Sequence, residues 1–126
     1  RNQAEIAFIA TGSMVKTAVE LSTRSLIDIS VYSIPAIKPA NTMVLIELCK
    51  QHKILITLEE HHTEGGLGSL ICEISTKYVP RQVLRIGVQD RFSNGCGTYA
   101  YLLKEHRLDV DAIEQQMKEF LRGVCL

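Results

Sequence analysis

The chain has 126 residues, enough for one domain built around a single hydrophobic core. With 46% hydrophobic and 22% charged residues, its composition is typical of a folded globular protein and excludes a disordered or fibrous chain. Fourteen basic and fourteen acidic side chains cancel, and no two basic residues are adjacent. We therefore predict neither a nucleic-acid partner nor a membrane partner.

Apolar runs and helical patterns alternate along the chain. The apolar runs predict four β-strands, at residues 4–10, 28–34, 53–59 and 83–88. The 3.6-residue period predicts helices at residues 14–24, 67–78 and 99–105, with a further helix capped by Asn41 or Thr42. A last helix opens with Asp109 and Asp111, and its predicted core-facing side carries Val110, Ile113, Met117 and Phe120.

The strands are nearly continuous apolar runs, a pattern typical of a parallel sheet covered by helices on both faces. The sequence therefore predicts a three-layer α/β/α fold with the doubly wound strand order 2-1-3-4. In that order the chain reverses direction between strands 1 and 3, and ligands of such sheets lie at the carboxyl ends of the strands near this point. Residues 11–13 and 57–69 are expected to meet there.

Four cysteines lie more than twenty residues apart, at Cys49, Cys72, Cys96 and Cys125. No C-x-x-C pair and no zinc-finger spacing of histidine is present in the sequence. We interpret them as reduced, mostly buried thiols, which fits a cytoplasmic protein.

Residues 57–69, with the sequence TLEEHHTEGGLGS, contain the densest group of polar side chains. A metal site would need converging ligands, but the neighbours Glu59 and Glu60 point to opposite faces of a strand, and no H-E-x-x-H motif occurs. The same divergence disfavours a catalytic pair of carboxylates. From the residues alone, this stretch therefore favours neither a metal site nor a catalytic pair of carboxylates.

Two interpretations of the glycines in this stretch remain open. Gly65, Gly66, Gly68 and Ser69 could form a phosphate site at a helix N-terminus, although neither the dinucleotide fingerprint nor the P-loop spacing is present. Alternatively, the glycines shape a sharp turn, and Glu64 or Ser69 binds the free N–H groups of the helix.

Five segments across the chain resemble the C-terminal domain of transketolases. They are IATGS at 9–13, IKP at 37–39, TLEEH at 57–61, GGLGS at 65–69 and RIGVQDRF at 85–92. The same domain closes the deoxyxylulose phosphate synthases and the β subunits of 2-oxoacid dehydrogenases. The resemblance implies one domain, residues 1–126, that is a fragment of a longer enzyme or subunit, and a possible antiparallel edge strand before the first strand.

For function, the resemblance implies a transferase that moves two-carbon ketol units between sugar phosphates, as in the pentose phosphate pathway. Thiamine diphosphate and Mg²⁺ are held by other domains of such enzymes, through a G-D-G motif that this chain lacks. By this resemblance the isolated domain is expected to have no catalytic, cofactor-binding or metal-binding residue, to bind no cofactor and to be inactive. Its expected partners are other domains or subunits of the same enzyme, in a homodimer.

The resemblance also suggests an interface or regulatory-ligand site at the carboxyl edge of the sheet. Its candidate residues are Thr11, Gly12, Ser13, Lys38, Glu59, Glu60, His61, Gly65, Gly66, Gly68 and Ser69. Of these, Ser13, Lys38, Glu59, Glu60 and His61 are expected to contact a neighbouring domain or subunit. The alternative is a stand-alone nucleotide- or anion-binding regulatory module, or a subunit-docking module of the 2-oxoacid dehydrogenase β-subunit kind.

Overall fold

The computed structural model describes residues 3–124, in which strands and helices alternate as predicted. The strands are β1 (Ile6–Ala10), β2 (Ile29–Ser33), β3 (Ile54–His62) and β4 (Gln82–Val88). The helices are α1 (Met14–Arg24), α2 (Thr42–Gln51), α3 (Leu67–Tyr78), α4 (Tyr99–Glu105) and α5 (Val110–Arg122). The predicted bounds of α1, α3 and α4 are confirmed to the residue, whereas β3 extends three residues beyond its predicted end.

The four strands form one parallel sheet in the order β2-β1-β3-β4, which confirms the predicted topology. Ile6 pairs with Ile29 on one side and with Ile54 on the other, so β2, β1 and β3 begin at one level. The register between β3 and β4 shifts between Leu58 and His62. Residues 3–124 contain no antiparallel edge strand.

Alternate residues of the central strands enter two hydrophobic cores, one on each face of the sheet. Ile6 and Phe8 of β1 face the core that contains buried residues of α1 and α5. Ala7 and Ile9 face the core formed with α2 and α3. This double coverage explains why the strands are apolar on both faces, as the sequence indicated.

Side chains fix the starts of three helices. The carboxamide of Asn41 accepts a hydrogen bond from Val44 N (3.2 Å), and Thr98 Oγ1 accepts one from Tyr101 N (3.2 Å). A carboxylate oxygen of Asp109 caps α5 in the same manner. The predicted apolar side of α5 is confirmed, with two residues buried and two packed at the edge of the core: Ile113, Met117, Val110 and Phe120.

The thiols of Cys49, Cys72 and Cys96 are free, and they are respectively buried, half-buried and exposed. Burial raises the pKa of the Cys49 and Cys72 thiols above the ordinary value. The prediction for Cys125 lies outside the described residues. Among residues 3–124, no helix has the length and apolar character needed to cross a bilayer.

A buried histidine at the C-terminus of α2 hydrogen-bonds to the chain just before β1. His52 is 1% exposed, and its Nδ1 lies 2.7 Å from the carbonyl oxygen of Ala4. Because that oxygen can only accept, Nδ1 is the donor, and Nε2 lies 2.9 Å from the Tyr32 hydroxyl oxygen, within hydrogen-bonding distance.

Replacing His52 by phenylalanine should lower the free energy of unfolding by about 1–3 kcal/mol, because the Ala4 carbonyl loses its partner inside the protein. Tyr32→Phe is the matched control: it removes only the second hydrogen bond and should cost about 0.5–1.5 kcal/mol. Urea denaturation measures both, and equal stability of His52→Phe and the native chain would contradict this role.

Candidate functional site

The turn after β1 and the end of β3 lie side by side at the carboxyl edge of the sheet. Thr11 N donates to Leu58 O (3.2 Å), which places residues 11–13 against β3 as predicted. Gly12 has a φ of +59°, a left-handed conformation that favours glycine, and it lets the chain turn directly into α1. Gly12 and Ser13 are exposed, and Thr11 is half-buried.

Glu59 is fully buried, and both of its carboxylate oxygens bind the first turn of α3. Oε1 accepts from Leu67 N (2.9 Å), and Oε2 accepts from Gly68 N (2.7 Å). These N–H groups have no partner inside the helix, and the helix dipole favours a negative charge at this end. The Glu59 carboxylate therefore occupies the position that an external phosphate would need.

This position of Glu59 corrects two expectations. The side chain does not face a neighbouring domain, because it is enclosed between β3 and α3. The helix cap expected from Glu64 or Ser69 is provided by Glu59 instead. Ser69 stabilises the preceding turn: its hydroxyl accepts from Gly65 N (2.8 Å) and donates to Thr63 O (3.2 Å).

The glycines of this stretch serve different purposes. Gly65 has a φ of +78°, so it makes the turn. Gly66 has a φ of −103°, but a Cβ added there would overlap Oε1 of Glu59 and lie 2.9 Å from Nδ1 of His61. At Gly68 a Cβ would lie 2.9 Å from Thr57 Oγ1. Close packing against the sheet therefore requires the second and third glycines.

The next two side chains of β3 point away from the interior. Glu60 and His61 are exposed, and His61 Nδ1 lies 3.9 Å from Oε1 of Glu59 and 3.0 Å from His62 O. Lys38 is exposed on the loop after β2. Across residues 3–124 it forms no ion pair with an acid of this edge.

Tyr99, at the start of α4, is a site residue that the sequence analysis missed. Its hydroxyl donates a hydrogen bond to the Glu60 carboxylate. The bond to Glu60 raises the pKa of Tyr99 above its ordinary value, against a smaller opposing effect of Ser13. No local pattern could have joined Tyr99 to Glu60, because 39 positions separate them.

An open cleft of about 470 Å³ lies between the end of β3 and the loop after β4. Its walls carry both acids and potential cations: His61, His62, Thr63, Glu64, Gln89, Asp90 and Arg91. Within residues 3–124, no group of three potential ligands has the arrangement needed for a metal ion. The mixed charges suit a polar protein surface better than a free anion.

The residues of this edge do not fit thiamine diphosphate with its metal ion. A diphosphate needs free N–H groups or cations, yet the N–H groups at the start of α3 are bound to Glu59. The described residues also provide no ligand set for the metal. The domain's own chemistry at this edge is therefore hydrogen bonding and charge pairing.

Comparison with known proteins shows a match over most of the chain. The family model described as "Transketolase, C-terminal domain" matches residues 1–113. A 1-deoxy-D-xylulose-5-phosphate synthase from Mannheimia succiniciproducens is 32% identical over 123 residues, which are 97% of this chain and 19% of that protein. A subunit of the apulose-4-phosphate transketolase from Actinobacillus succinogenes is 33% identical over 118 residues, which are 90% of this chain and 38% of that protein.

The fold also matches a solved structure described as a split gene transketolase in an inactive beta4 tetramer. The TM-score is 0.83 at 27% sequence identity, over 93% of this chain and 39% of that one. This chain therefore spans between about one fifth and two fifths of the length of the proteins it matches.

Glu59→Gln should lower the free energy of unfolding by about 1–3 kcal/mol, because an amide NH₂ replaces one acceptor and faces a backbone N–H. Glu64→Gln is the matched control: this acid is exposed, and its neutralisation should change stability by less than about 0.5 kcal/mol. Chemical denaturation measures both variants. If both lose the same stability, the buried carboxylate does not stabilise α3.

Tyr99 should ionise at a higher pH than an ordinary tyrosine, whose pKa is about 10. Because the folded pKa is the higher one, the stabilisation is complete below the unfolded pKa and is lost as pH rises through the folded pKa. The ultraviolet difference titration between the native chain and Tyr99→Phe measures this step. Glu60→Gln should move the step back towards the ordinary pKa, and an unchanged step in that variant would contradict the assigned cause.

Proposed function

Because the chain belongs to the transketolase C-terminal domain family, we propose that it is the assembly domain of a thiamine diphosphate-dependent transketolase-type enzyme. The complete enzyme transfers two-carbon ketol units between sugar phosphates in the cytoplasm, within the pentose phosphate pathway. The match of residues 1–113 to the family carries this proposal.

In this proposal the domain provides no catalytic group. Thiamine diphosphate and Mg²⁺ are bound by other domains of the complete enzyme, and the isolated domain is inactive. The absence of a G-D-G motif from the sequence supports this division, as does the Glu59 carboxylate that fills the start of α3. When bound elsewhere in the enzyme, the cofactor supplies the carbanion chemistry.

The proposed contact surface is the carboxyl edge of the sheet, defined by the exposed residues Gly12, Ser13, Lys38, Glu60 and His61. Its partners are other domains or subunits of the same enzyme, which forms a homodimer in the complete protein. Exposed charges of both signs suit a specific polar contact, because each needs a complementary charge on the partner.

A subunit-docking module of the 2-oxoacid dehydrogenase β-subunit kind is the second candidate. The similarity to the apulose-4-phosphate transketolase favours it, because the matching protein there is a separate subunit, of which this chain covers 38%. A nucleotide or anion sensor is the weaker form of this alternative, because Glu59 already holds the N–H groups that an anion would use at α3.

Ketol transfer should be measured for the complete protein that contains these 126 residues and for the 126-residue chain alone. We expect thiamine diphosphate-dependent transfer between a ketose phosphate and an aldose phosphate only for the complete protein. Its absence there would contradict the proposed enzyme. Heat of binding on titration of the chain with inorganic phosphate or ATP would instead support the sensor.

The contact surface is tested by Lys38→Glu in the complete protein, which should weaken assembly and reduce transfer by about tenfold, a change of about 1.4 kcal/mol. Lys16→Glu makes the same charge change at an exposed position of α1 and serves as the control. Light scattering reports the oligomer. If the two variants assemble equally well, Lys38 lies outside the contact.

A further inference from the structure

Residues 89–105, here called the strap, form a segment over the carboxyl edge that contributes little to either core. The strap consists of the loop after β4 and helix α4. Every residue from Gln89 to Tyr101 is exposed, and α4 has no buried residue. Of its apolar side chains, Leu103 packs against the core of α1 and α5, where it is half-buried. Segments with so few buried apolar groups open at low free-energy cost.

Polar bonds inside the strap join its loop to the end of α4. Arg91 donates to the carbonyl oxygen of Glu105, and Asn94 N donates to the Glu105 carboxylate. Ser93 Oγ lies 2.8 Å from Nε2 of His106, the residue that follows the strap. Because these bonds close the loop onto the helix, the strap can move as one body.

The strap joins the rest of the fold through the C-terminus of α4. Arg107 has a φ of +57°, the left-handed conformation in which many helices end. Leu108 N donates to Leu103 O (2.7 Å) and Arg107 N donates to Lys104 O (3.1 Å), which closes the helix end. Leu108, which follows, is buried and begins the part of the chain that belongs to the core.

The other end of α4 is held to the sheet edge by one side chain. The Tyr99 hydroxyl donates to the Glu60 carboxylate at the end of β3. The two residues come from separate elements, and Tyr99 itself is 58% exposed. The bond therefore holds the strap to the sheet edge without burying an apolar surface.

We propose that the strap is a latched lid, which is held closed by the hydrogen bond of the Tyr99 hydroxyl to Glu60 and opens by local unfolding of α4 and its loop. In the closed state the lid occupies the carboxylate of Glu60. In the open state that carboxylate is free to bind a neighbouring domain, a consequence that rests on the proposed function. A docking partner and Tyr99 then compete for the same hydrogen bonds, so docking favours the open lid.

Hydrogen exchange of the chain alone, without any partner, tests the latch. In Tyr99→Phe the amide protons of α4 should exchange roughly threefold to tenfold faster, the effect of one lost hydrogen bond, while those of β1 and β3 keep their native rates. Tyr101→Phe is the matched control, because the Tyr101 hydroxyl forms no hydrogen bond within residues 3–124.

Glu60→Ala provides a second route to the open lid, and its effect on α4 exchange should match that of Tyr99→Phe. The double variant should exchange no faster than either single variant, because both remove the same bond. Native exchange rates of α4 in both single variants would overturn the latch. That result would leave the assembly test of Lys38→Glu unaffected, so the two proposals fail separately.

Discussion

The buried carboxylate of Glu59 is the constraint on which the carboxyl edge depends. Its two oxygens fix where α3 begins, and the helix can approach them only because no side chain intervenes at Gly66. Gly87 of β4 is also closely packed, since a Cβ there would lie 2.6 Å from the carbonyl oxygen of His61 and 3.1 Å from Cγ of Glu59. Glycines from two distant segments thus surround one charge, which the dipole of α3 and two N–H donors stabilise.

The fold was largely predictable because its signals are local. Apolar runs mark strands that are covered on both faces, and the 3.6-residue period with a cap such as Asn41 or Asp109 marks the helices. The topology followed from the rule that parallel crossovers are right-handed. The end of β3 was harder to predict, because its last residues, Glu60 to His62, are polar and carry no apolar signal.

The site was less predictable because its key contacts are non-local. The alternation of a strand correctly separates Glu59 from Glu60, but it does not say which of the two faces inwards. A buried acid is unusual unless its charge has partners, and the partners of Glu59 are backbone groups that no residue type reveals. The bond of Tyr99 to Glu60 depends on where the loop after β4 returns to the sheet.

The hydrogen bond of His52 to Ala4 has a consequence for how force passes through the domain. It fixes the chain just before β1, at the amino edge of the sheet, whereas the latch of Tyr99 lies at the carboxyl edge. Five residues of β1 separate the two edges, about 16 Å at the usual rise of a strand. A polypeptide attached before residue 3 and a partner bound at the carboxyl edge would therefore act on opposite ends of β1, so a force between them would run along that strand.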